Sequence, residues 1–189
     1  MILDLSQDGR FVVVSAFKAP LGMDSSVALR DLKMEFPLIE VQFFEGERVA
    51  GKEHLEIAAI NALHAFKTGT NISRSLAMEA LLYASAQRQI EVAINKLGVT
   101  RESKTVGLVA YSETRDGAEG LSEDIAQYVG AELNDALLDE WSNEKTGAIT
   151  KLFEIGPEEL EAIRMPGEGI KEAIGKAVIE RVALLSTRT

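Results

Sequence analysis

The sequence predicts an α+β fold, a small, mostly antiparallel sheet packed on a helical bundle, on three observations. Runs rich in β-branched and aromatic residues are few and short, at about 10–18, 39–43 and 105–111. Segments of helical periodicity fill much of the rest. The resulting order is β-α-β-α-α-α-β followed by further helices, which points to α+β. At 189 residues the chain fits one domain over 1–189, with an acidic helical insert at about 112–168, and can fold without staples.

Arg10–Lys18, with Phe-Val-Val-Val-Ser-Ala-Phe at its centre, reads as a strand closed by Pro20 and Gly22. Asp24 or Ser25 can cap a helix that runs to about Phe36, where Pro37 stops it. Ile39, Val41 and Phe43 alternate with Glu40 and Gln42, which predicts a half-exposed strand. Lys52–Lys67 is a helix with Leu55, Ala58, Ala59, Ala62, Leu63 and Phe66 on one face and Gly69 as its stop. Helices at about Ser75–Ala86 and Gln89–Leu97 follow, the second ended by Gly98, and then a strand at Thr105–Tyr111. In the acidic segment we expect one helix at Glu123–Glu140 and a short one started by Pro157. Pro166-Gly167-Glu168-Gly169 reads as a hinge before a last helix, Ile170–Leu185.

Charge is distributed unevenly. The chain carries net charge −10, yet residues 52–101 hold six Lys/Arg against four Glu, and residues 112–168 hold fifteen acids against four bases. A neutral-to-basic island on an acidic body is where a partner should bind. The overall charge argues against broad, sequence-independent nucleic-acid binding, so any RNA contact must be local. Cysteine is absent, which excludes disulfides and thiolate metal sites. No apolar run approaches the ~20 residues that cross a bilayer, and no signal peptide opens the chain. We expect a cytoplasmic globular protein that needs no cofactor or metal.

Catalytic signatures are weak. His54 and His64 lie ten residues apart on one predicted helix, about 15 Å along its axis, too far to share a metal. Both read as surface or boundary residues. There is no Gly-rich phosphate loop before a helix and no G-x-S-x-G. Asn71 and Ser73 can cap the helix that follows, with Arg74 near a first turn whose free N–H groups favour an anion. With Lys52 and Lys67 of the preceding helix and Gln87, Arg88 and Gln89 of the next turn they could form a phosphate-and-base pocket, since arginine reads phosphate and amides read base edges. An enzyme acting on a small anionic metabolite through Asn71, Arg74 and Arg88 is the alternative, and solvated caps and cations are the plain one.

The last helix carries the other argument. Ile170, Ala173, Ile174, Ala177, Val178, Val182, Leu184 and Leu185 cover about half its circumference, more than the ~100° stripe a surface helix needs. Burial from two directions, by its own domain and by a partner, would explain this. A homodimer through this helix, or burial wholly within the chain, would explain it too. Arg181 falls inside the stripe and must find a carboxylate, at home or across an interface.

Several of these segments resemble the PRPK-binding protein family. They are Leu55 to Gly69 (Leu-Glu-Ile-Ala-Ala-Ile-Asn-Ala-Leu-His-Ala-Phe-Lys-Thr-Gly), Asn71-Ile72-Ser73, Glu79, Arg88-Gln89-Ile90, and Ile179-Glu180-Arg181-Val182-Ala183-Leu184-Leu185. The family is the kinase-binding subunit of the archaeal and eukaryotic KEOPS complex, which installs threonylcarbamoyl on tRNA adenosine. The resemblance implies a non-catalytic regulatory subunit that docks on the complex's small atypical kinase/ATPase and, in archaeal members, helps hold the tRNA acceptor 3′ end. It implies kinase contacts at Ile174, Val178, Arg181, Val182 and Leu185. It implies tRNA contacts at Lys67, Asn71, Ser73, Arg74, Arg88 and Gln89. Residues 112–168 are longer and more acidic than that family's pattern.

Overall fold

The computed structural model describes residues 2–187; Met1 and, of the closing Ser-Thr-Arg-Thr, Arg188 and Thr189 lie outside them. Strands β1 (Ile2–Leu5), β2 (Arg10–Lys18), β3 (Glu40–Glu45) and β4 (Thr105–Ser112) form one antiparallel sheet in the order β1-β2-β4-β3. The central pair runs in register from Phe11↔Ser112 to Lys18↔Thr105, and β3 flanks β4 from Glu40↔Tyr111 to Glu45↔Val106. With the helices below, this is the α+β fold that the sequence predicts.

Side-chain alternation sends two apolar sets to opposite faces. Val12, Val14, Phe44, Val109 and Tyr111 face one core, with α2 (Lys52–Thr68), α3 (Leu76–Ser85) and α9 (Ile170–Ala183). Val13, Phe17, Phe43, Leu108 and Ala110 face a second core, with α1 (Ser25–Glu35) and α6 (Leu121–Val129). Helices on both faces explain why β2 and β4 read as unbroken apolar runs and why β3 is not half-exposed: Gln42 and Phe43 are both buried. Gly107 brings α2 close, because a Cβ there would sit 2.9 Å from Leu55 Cδ1.

Most helix limits follow their caps. Asp24 accepts the Val27 N–H at 3.2 Å to start α1, and Gly69, at φ +69°, ends α2. After α3 come α4 (Ile90–Leu97) and, past β4, the single turn α5 (Arg115–Ala118). The predicted helix at Glu123–Glu140 is corrected. α6 starts earlier, at Leu121, and stops at Gly130 (φ +72°); a 3₁₀ turn follows at Asp135–Leu138, then α7 (Asn143–Leu152) with Ser142 as its cap. α8 (Pro157–Ile163) begins at its proline. The Pro166–Gly169 segment is a hydrogen-bonded turn: Glu168 accepts from the Met165 N–H, and its carbonyl from Arg164 Nε at 2.6 Å.

The acidic segment does not stand apart from the body. Leu121 and Ile125 enter one core, and Ile149, Phe153 and Ile155 the other. Asp135 pairs with Lys52 at 3.2 Å, Asp139 accepts the Lys52 N–H at 2.9 Å, and buried Lys145 donates to the Leu138 carbonyl at 2.8 Å. Among the described residues no helix is long and apolar enough to cross a membrane.

Candidate docking and RNA-binding surfaces

α9 packs against α2, α3, α7 and α8, and that enclosure buries six of the eight residues of its apolar stripe, leaving Ile170 and Leu184 exposed at its two ends. Ile174, Val178 and Val182 are fully buried and Leu185 nearly so. Within the chain by itself these four side chains point inward and leave little surface for a partner to touch. Burial from several directions does occur, and for these four the chain itself supplies it.

Arg181 also finds its carboxylate at home. Nη1 and Nη2 donate to the two oxygens of Glu159 at 2.6 and 2.8 Å, Nη1 also to the Ala177 carbonyl, and Nη2 to the Glu154 carbonyl at 3.2 Å. Glu154 sits at φ +54°, a left-handed conformation that ends the α7 region and aims this carbonyl. These hydrogen bonds hold the Glu159 carboxyl below its usual range and raise the Arg181 guanidinium.

What α9 leaves open is its end. A cleft of about 700 Å³ lies between α4, the α7–α8 corner and α9. Arg181 lines one wall, next to Leu184, which is 42% exposed; Val92 of α4, 39% exposed, lines another. Lys96 Nζ sits 4.0 Å from the Phe153 ring centroid in the floor. Behind Phe153 lies His54, 5.6 Å away edge-on. His54 is fully buried, not a surface residue: Nδ1 accepts from the Ala50 N–H, which leaves Nε2–H to donate to the Ala84 carbonyl at 2.8 Å. It ties the start of α2 to the end of α3. Burial pushes its pKa down to about 4. His64 is exposed.

The sequence-predicted RNA residues do not form one pocket. Lys67, Asn71, Ser73 and Arg74 gather where α2 ends and α3 begins. Arg88 and Gln89 follow the other end of α3, ten residues or about 15 Å away. Neither the large cleft nor the groove lined by Ser75 includes Asn71, Arg74 or Arg88. The α3 N-terminus is also already filled. Ser75 is its cap, and Glu40 of β3 accepts from Ser75 Oγ and the Ala77 N–H, both at 3.0 Å. The N–H groups expected to attract an anion thus carry a carboxylate from the chain itself.

The loop before α3 is shaped from beneath by Glu79. This fully buried carboxylate accepts the Ile72 N–H at 3.0 Å and the Ser73 N–H at 2.6 Å. Asn71 Nδ2 donates to the Ser73 carbonyl at 2.8 Å, and Ser73, itself buried, accepts from the Ser75 N–H, so neither caps α3 as predicted. Lys67 is exposed but paired with Asp8. Arg74 is exposed and has no hydrogen-bond or ion-pair partner among the described residues. Tyr83 is buried and offers no stacking platform.

Reasoning from sequence missed Glu40, Glu159 and the bridging role of His54. Only Glu159 left a signal: an arginine inside an apolar stripe demands a nearby carboxylate, and Glu158-Glu159 opens the helix just before.

The sequence match places this α+β body with a family of kinase-binding proteins. The family is described as Kinase binding protein CGI-121; it matches residues 24–186, from the α1 cap to beyond α9, and the chain belongs to it. No curated protein matches the chain.

Proposed function

We propose that this chain, acting as one unit, is the non-catalytic, kinase-binding subunit of a KEOPS-type tRNA-modifying complex. It docks on that complex's small atypical kinase/ATPase at the open end of α9. Membership of the kinase-binding family over residues 24–186 supports the kinase partner. The observation that carries the location is the cleft in which exposed Leu184 and Val92 flank an Arg181 already fixed by Glu159. Such a pre-oriented guanidinium beside apolar anchors is the composition of an interface hot spot. Ile174, Val178, Val182 and Leu185 act indirectly, by seating the helix that presents Arg181 and Leu184.

The loop at Asn71–Arg74 with Lys67 is proposed as one contact for the tRNA acceptor 3′ end, and Arg88 with Gln89 as a second. The two clusters stand at opposite ends of α3, about 15 Å apart along its axis, too far for one small anion to touch both, which favours the adaptor over an enzyme built on Asn71, Arg74 and Arg88. Burial of six of the eight stripe residues of α9 leaves little apolar area for a homodimer through that helix.

The test is to mix the chain with the purified kinase subunit and, separately, with a labelled tRNA acceptor stem. Leu184→Arg is expected to weaken the kinase complex strongly and leave RNA retention intact, and Arg74→Glu to weaken RNA retention and leave the kinase complex intact. Loss of both functions together in either variant, with the fold intact, contradicts the two-surface reading.

A further inference from the structure

The sheet face opposite α9 carries a second surface that the kinase and tRNA readings do not use. Between the end of α1 and the α5–α6 corner lies a hollow of about 410 Å³. Its floor is apolar, built from Phe36, Ile39 and Leu121, and Leu38 stands at the lip, 80% exposed. Five carboxylates surround it, those of Glu35, Glu113, Asp116, Glu119 and Asp124, and no lysine or arginine lines it. Glu113 pairs with Arg10 at 2.7 Å and Glu119 with Arg115 at 3.3 Å. The side chains of Glu35, Asp116 and Asp124 have no hydrogen-bond or ion-pair partner among the described residues. Glu35 is also the last residue of α1, where the helix already presents partial negative charge, so the chain places like on like there. The wall is held in shape by local bonds: Ser112 Oγ donates to the Thr114 carbonyl at 2.9 Å, and the Gly117 N–H to Thr114 Oγ1 at 3.0 Å.

We propose that this hollow docks a basic, amphipathic segment of a protein partner, with an apolar side chain seated against Leu38 and Ile39 and a lysine or arginine reaching the free carboxylates. Each feature narrows the occupant. No three acidic or histidine side chains among the described residues come together as a metal site, so a bare divalent cation does not fit. Nucleic acid is repelled by five carboxylates. A free polyamine matches the charge but leaves the exposed leucine uncovered. A long cationic side chain on a peptide satisfies both, because its aliphatic stem covers apolar surface while its head meets the carboxylates. Sitting on the far face of the sheet from α9, this surface is independent of the kinase reading, and the protein can hold both partners at once.

Three fluorescein-labelled nine-residue peptides, alternating lysine with leucine, lysine with serine, and glutamate with leucine, test this by anisotropy titration against the full chain. The lysine–leucine peptide should bind about tenfold or more tighter than either of the others and weaken with added salt. The triple variant Glu35→Gln/Asp116→Asn/Asp124→Asn and the single variant Leu38→Ser should each lower that affinity at least about fivefold. These side chains are exposed, so melting temperatures should stay at the parent value. Glu158→Gln/Glu161→Gln, on α8, should change nothing. Equal binding of the lysine–serine peptide, undiminished binding by the triple variant, or equal loss in the α8 variant would each overturn the proposal.

Discussion

Lowering the pH should unlock the floor of the cleft through His54. The imidazole is fully buried, its Nδ1 already accepts a hydrogen bond, and burial depresses its pKa from 6.5 to about 4. An unfolded chain binds this proton at higher pH than the folded one does. The stability that neutral His54 contributes is therefore complete above pH 6.5 and falls as pH drops towards 4. The full difference corresponds to about 3 kcal/mol, and roughly 2 kcal/mol of it is lost between pH 7 and pH 5. For a chain of this size that lowers the melting temperature by about 4–8 °C. Urea unfolding at several pH values, on the parent and on His54→Gln, isolates the histidine from carboxylates that titrate in both. His54→Gln should start about 1–3 kcal/mol less stable, since the Ala50 N–H and Ala84 carbonyl are imperfectly met, and should show a shallower decline from pH 7 to pH 5. Parallel curves for the two proteins would refute the assignment of a buried, neutral, bridging imidazole.

Other perturbations separate core from surface. Val178→Asp places a charge among fully buried neighbours and should prevent folding altogether, by more than about 4 kcal/mol, as circular dichroism will show. Glu79→Ala strands the Ile72 and Ser73 N–H groups and should cost about 2–4 kcal/mol in denaturant titration. A milder Glu79→Gln should weaken acceptor-stem retention while kinase binding persists. Glu159→Ala frees the Arg181 guanidinium; because the pair is partly solvated the loss in stability should be about 1 kcal/mol, read by urea unfolding, with weaker kinase binding. Since Arg181 holds the Glu159 carboxyl below its usual range, that contribution is present at neutral pH and is lost only as pH falls through the depressed value.

Legibility in the sequence followed the strength of local signals. α1, α2, β2 and α8 carry an aspartate cap, a stop glycine, an apolar run or an N-terminal proline, and their limits fall where those residues put them. α6 and α7 were read as one long helix plus coil, because acidic helical composition hid Gly130, and the Ser142 cap precedes a segment diluted by Thr146, Gly147 and Thr150. β1 is four residues long and interrupted by Asp4, too short for periodicity to register; only pairing with β2 makes it a strand. The breadth of the α9 stripe was legible, but not what covers it. That depends on α2, α3, α7 and α8 converging, a long-range outcome no local window contains. Likewise the spacing of Arg74 and Arg88 in sequence suggested one pocket, until the straight run of α3 set them at opposite ends.

Calorimetric titration of the kinase subunit with the parent chain and with Leu184→Arg addresses docking at the cleft most directly. Leu184 is 42% exposed, so the variant should melt within about 2 °C of the parent while its affinity for the kinase falls about thirtyfold or more. A folded Leu184→Arg protein that binds the kinase as tightly as the parent would show that the open end of α9 is not where the kinase sits.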